Sequence, residues 1–123
     1  MENKKVKPKE EEMLIIKKYQ DMMLYVYNLL QKLPKSEQLA LNSEIKQCLF
    51  KGYELLLYAK KAYSKREKLK YLSEFDIKIN CVKLYIRISR KKGYINRRNY
   101  RAWSYKITDI SNMLGSWINS CHV

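Results

Sequence analysis

The sequence predicts an all-α chain, an antiparallel up-down-up-down four-helix bundle, on three observations. Four segments repeat apolar residues at alternating spacings of three and four, which lays them along one face of a helix. Three Gly and two Pro in 123 residues are too few for the turns of an all-β fold. Apolar residues form 46% of the chain and charged residues 31%, a balance that suits one amphipathic domain around a single core.

The opening MENKKVKPKEEE carries four Lys and four Glu with almost nothing to bury. Residues 1–12 are therefore expected to be a flexible charged arm ahead of a bundle domain at 13–120, with 121–123 as a short tail. In the first helix Ile15, Tyr19, Met22, Val26, Leu29 and Leu33 share one face. Leu33-Pro34 stops it, because proline disfavours the helical conformation in the residue before it. Pro34 suits the first turn of a second helix, whose inward stripe reads Leu41, Ile45, Cys48, Gly52, Leu55, Ala59 and Ala62. Gly52 in that stripe marks a close helix approach.

Ser64 and Glu67 have the capping-box spacing, which predicts a third helix from about Lys65. Its core stripe is Leu72, Phe75, Ile79, Val82 and Ile86, and an adjacent stripe holds Ile77, Cys81, Leu84 and Ile88. So wide an apolar face exceeds what one bundle core needs. Gly93 supplies a left-handed residue to end this helix, and Asn96 caps the next. The fourth runs Tyr100, Trp103, Ile107, Ile110, Leu114 and Trp117, spaced three, four, three, four, three. Short connections between helices of this length favour antiparallel neighbours.

Charge is distributed unevenly. The formal net charge is +14, and between Lys60 and Lys106 sixteen Lys and Arg face only Glu67, Glu74 and Asp76, which gives +13 in that segment. Lys83, Arg87, Arg90 and Lys91 form a cationic stripe on the third helix. Lys92, Arg97, Arg98 and Arg101 extend it across the connection into the fourth. A solvated helix face normally mixes signs, and sixteen against three departs from that. Phosphate-directed binding, salt-sensitive and indifferent to sequence, is the chemistry this arrangement suits. Tyr94 lies among the cations as a candidate for stacking on unpaired bases.

Catalytic chemistry has little to build on. His122 is the single histidine, beside the C-terminus, and no carboxylate pair has an acid/base context. No Gly-rich phosphate loop occurs, and Cys121 with His122 lacks a second chelating pair. No enzyme activity, cofactor or metal is expected. Three widely spaced cysteines and the lack of a signal-like opening point to a reduced cytoplasmic protein. No apolar run is long enough to span a membrane.

The segments LPKSEQLALNSEIKQCL, VKLYIRISRKKGYINRRNY and above all DISNMLGSWINS resemble the four-helix-bundle family that contains the accessory variability determinant (Avd) of diversity-generating retroelements. Small proteins encoded in intervening sequences of bacterial large-subunit ribosomal RNA genes belong to the same family. The resemblance covers roughly residues 13 to 120. It implies a homopentamer that binds the element's reverse transcriptase and template RNA, and through them complementary DNA, in support of mutagenic synthesis and retrohoming. Lys83 and Arg87 fall where the family tends to place basic residues on the third helix. Subunit contacts would account for the wide third helix, and Trp103, Leu114, Gly115 and Trp117 are expected at the oligomer interface or in the core.

Two other readings fit the residues. A stand-alone RNA-binding bundle of the intervening-sequence type needs no polymerase partner, and an oligomeric scaffold would direct its charge at an acidic protein or anionic membrane.

Overall fold

The computed structural model describes residues 8–122. It contains four helices, α1 (Pro8–Leu30), α2 (Leu41–Lys61), α3 (Lys65–Lys91) and α4 (Arg97–Cys121), with a 3-10 turn at Lys35–Glu37 between the first two. The helices pack cyclically, α1 on α2, α2 on α3, α3 on α4 and α4 on α1. Diagonal partners meet through side chains: the Tyr19 ring of α1 reaches the Phe75 ring of α3 edge-on, 5.4 Å between centroids. The chain is the expected all-α four-helix bundle.

Every residue of the expected core stripes of α1 and α4 is buried except Tyr100, which is half-buried. The periodicity therefore locates the core directly, since three-four spacing keeps each residue on the same side of the helix. Trp103, Leu114 and Trp117 are buried within the single chain, whereas Gly115 is exposed with open space around its Cα. The Trp103 indole N–H and the Asn42 side-chain oxygen are buried without a hydrogen-bond partner among the described residues.

Local signals set most helix ends. Ser64 Oγ accepts from the Glu67 N–H at 3.1 Å, and Glu67 Oε1 accepts from the Tyr63 N–H at 3.1 Å, one residue earlier than in a standard capping box. Asn96 Oδ1 accepts from the Asn99 N–H at 2.7 Å and starts α4. Gly93, at φ 76°, ends α3. The Tyr94 N–H donates to the Ser89 carbonyl and the Gly93 N–H to the Arg90 carbonyl, which satisfies two otherwise orphaned acceptors.

Four boundaries differ from the sequence reading. The first helix ends at Leu30, not at Leu33, and the Leu33 N–H donates to the Leu30 carbonyl in a turn. Pro34 does not open α2; it precedes the 3-10 turn, and α2 begins at Leu41. Tertiary contacts select that start, because buried Asn42 donates to the Leu30 carbonyl at the end of α1 (3.1 Å), and Glu37 accepts from the Leu41 N–H (3.4 Å). Residues 8–12, assigned above to the arm, belong to α1, where Glu12 pairs with Lys68 of α3 at 3.8 Å. Residues 1–7 of that arm lie outside the described residues. Cys121, assigned to the tail, is the buried last residue of α4, and Val123 lies outside the description.

The connections gather at two ends. At one, Tyr94 of the α3–α4 connection donates its hydroxyl to Glu37 before α2, 2.6 Å. At the other, Lys68 donates to the Ala59 and Lys60 carbonyls, 2.9 and 3.2 Å, a favourable partner for the negative end of α2.

Candidate nucleic-acid interface

Helix geometry divides the expected cationic field into distinct surfaces. Lys83 and Arg87, one turn apart on α3, line a groove of about 220 Å³ against Tyr100, Ser104 and Thr108 of α4. Lys83 is half-buried and donates to Ser111 Oγ at 3.3 Å. On α4 the spacing Arg97, Arg101, Ser104, Thr108, Ser111 continues one stripe toward that groove. Cations on the α3 wall and hydroxyls on the α4 wall suit phosphate oxygens, which accept from both kinds of donor.

Arg87 also borders a second hollow with Leu84, Ile88, Lys91 and Lys92 on the outer face of α3. It stands on the ridge between the two. Arg90 turns back on its own connection, its guanidinium 3.5 Å from the Ile95 carbonyl.

Arg98 belongs elsewhere. Its charge acts on the Tyr25 phenol of α1, opposing the upward shift that burial imposes on that group. Tyr25 donates to Asn99 of α4, 3.3 Å to the side-chain oxygen, and the Lys106 ammonium lies 5.1 Å from the Tyr25 ring centre. Arg98 therefore faces the α1–α4 side, away from Lys83 and Arg87. Nearby, Lys18 pairs with Asp109 at 2.5 Å; that hydrogen bond, ahead of opposing desolvation, raises the Lys18 pKa.

Among the described residues none of Lys83, Arg87, Arg90, Lys91, Lys92, Arg97, Arg98 and Arg101 has an ion-pair partner. All but Lys83 are exposed. Tyr94 is half-buried against the core, and its bond to Glu37, the main cause of its raised pKa, gives its hydroxyl a structural use. Sequence reasoning missed Ser104, Thr108 and Ser111, although their continuation of the Arg97–Arg101 spacing marks them.

The expected second stripe of α3 faces outward. Ile77 is 62% exposed and Leu84 46%, with Cys81 and Ile88 half-buried between and beyond them. An apolar band of this kind lies between the cationic ends of the helix.

A model of the bAvd-like family matches residues 13–121. The chain belongs to the bAvd-like family. Membership carries the general role of an accessory protein of the Avd type. No curated protein matches the chain. Within this bAvd-like bundle, no group of three or more His, Cys, Asp or Glu among the described residues is arranged to hold a metal ion. No described helix is long and apolar enough to cross a membrane.

Proposed function

We propose that this bAvd-like protein is a non-enzymatic accessory subunit of a diversity-generating retroelement, acting in the cytoplasm. It binds template RNA and the element's reverse transcriptase, and supports mutagenic synthesis of complementary DNA and retrohoming. The observation that carries this reading is the set of cations at the α3–α4 end without an ion-pair partner among the described residues, in a chain that matches the family over residues 13–121. Unneutralised cations repel one another, so a polyanion or acidic surface that covers them relieves that repulsion.

The working form is a homo-oligomer, five subunits by family resemblance. The outward band of Ile77, Cys81, Leu84 and Ile88 supports subunit contacts, since an apolar band between charged ends loses exposed surface on association.

The experiment is co-expression with the reverse transcriptase encoded beside this gene, combined with filter binding of template RNA over a salt series. Co-purification of all three components and an affinity that falls steeply with salt are expected. RNA binding without any polymerase partner would instead support the stand-alone intervening-sequence type.

A further inference from the structure

The opposite end of the bundle carries a second cationic and aromatic cluster that the α3–α4 site does not use. Between Lys60 and Lys70 six cations meet one acid, Glu67. Lys68 is committed to the α2 carbonyls and Glu12, and Lys60 shares a groove with Glu10 of α1. Lys61, Lys65, Arg66 and Lys70 have no acidic partner among the described residues. The Glu67 carboxylate is turned to the Tyr63 N–H.

Tyr63 itself is 100% exposed in the two-helix connection. A large aromatic ring with no packing contact contributes nothing to the core, yet its backbone is held by the Glu67 bond. It borders an open cleft of about 670 Å³ with Arg66, Leu69, Lys70 and Ser73. One to two turns away Tyr58 and Tyr71 stack at 5.3 Å between centroids, and the Lys70 ammonium lies 5.9 Å from the Tyr71 ring centre. Aromatic faces interleaved with cations form the pattern that holds unpaired bases and their flanking phosphates.

We propose that this cleft is a second contact for single-stranded nucleic acid, with Tyr63 stacking on an unpaired base and Arg66 and Lys70 on adjacent phosphates. The proposal extends the function above and rests on its nucleic-acid reading. Arg66 and Arg90 are 24 positions apart on one helix, about 36 Å at 1.5 Å per residue. A stacked strand of about 11 nucleotides spans that length at ~3.4 Å each. One bound strand can therefore be anchored at both ends of α3.

The test uses unstructured single-stranded RNA of about twenty nucleotides, longer than this span, with 5-iodouridine for photocrosslinking. The intact protein should crosslink through Tyr63, identified by mass spectrometry. Tyr63→Ala should weaken binding at least about fivefold, the low end of base–aromatic stacking, and Tyr63→Phe should restore it. Arg66→Ala with Lys70→Ala should reduce the salt slope by up to about 1.4, at ~0.7 per cation on a single strand. Wild-type binding that is indifferent to all these changes, without a Tyr63 crosslink, overturns this site and leaves the proposed function standing. Absence of RNA binding by the wild type overturns both, as does binding only to phosphatidylserine vesicles.

Discussion

The Tyr19 hydroxyl lies against the bare Cα of Gly52, donating to the Leu49 carbonyl at 2.8 Å one turn earlier on the same helix. A methyl at position 52 would collide with that hydroxyl and meet Phe75 at 3.4 Å. Gly52→Ala gains up to about 1 kcal/mol of helix propensity, but overpacking costs about 1–3 kcal/mol. Net destabilisation of about 1 kcal/mol is expected in urea unfolding. Tyr19→Phe loses about 1 kcal/mol with its hydrogen bond, and Gly52→Ala should cost less in that background. A double-mutant cycle with no coupling would contradict the contact.

The cap of α4 offers an independent check on local specification. Asn96→Ala removes the 2.7 Å bond to the Asn99 N–H and should destabilise the fold by about 1 kcal/mol. Asn96→Ser should recover most of that loss, since Ser is a comparable cap. Equal loss from both substitutions would mean that the asparagine acts through something other than its oxygen.

The sequence made the four helices, the core stripes and the caps at Ser64, Gly93 and Asn96 legible, because each follows from periodicity or from one side chain acting on its own helix end. The α2 start was not legible. Residues 35–40 carry no helix breaker, and the boundary depends on Asn42 meeting the end of α1, a contact between elements. The same limit applies to the cations. Arg97 and Arg98 are neighbours in sequence, yet one helical step of about 100° sends Arg98 toward α1. Lys83 and Ser111 meet across 28 positions, which no local pattern reveals.

Burial gives stability an alkaline limit. The Cys48 thiol is pushed up from 9.0 to about 11, mainly by desolvation, and Tyr19 is shifted upward for the same reason. Because the folded thiol holds its proton more tightly than the unfolded one, this contribution is fully present below pH 9. It is lost as pH rises through about 11. Stability measured across pH 8–11 should therefore fall more steeply in the wild type than in Cys48→Ala, after allowing for the lower starting value of the variant. Parallel curves would remove Cys48 from the account.

Assembly should depend on the outer face of α3. Leu84→Glu places a charge in the exposed apolar band between Ile77 and Ile88, where burial against a neighbour is unfavourable without a partner. Light scattering should show an oligomer for the wild type and a smaller species for the variant, with helicity retained because Leu84 is outside the core. An oligomer of unchanged mass would place the subunit contact on another face.

The division of the α3–α4 cations gives the most discriminating prediction. Lys83 and Arg87 line one groove and Arg101 lies on the α4 stripe that leads to it, whereas Arg98 lies on the α1 side. Replacing the first three by Ala should weaken binding of unrelated RNAs by a similar factor, because phosphates carry no sequence information. The slope of log affinity against log salt should become shallower by up to about 2, from ~0.7 per cation on a single strand. Arg98→Ala should change it by no more than about 0.7. Substitutions away from core and caps usually alter stability by about 0.5 kcal/mol or less, so the fold should persist in both proteins. Unchanged affinity and slope in the triple variant, with helicity intact, would reduce the groove to a solvated face. Lost polymerase binding with intact RNA binding would assign the same cations to an acidic protein surface, since carboxylates select them for the same electrostatic reason.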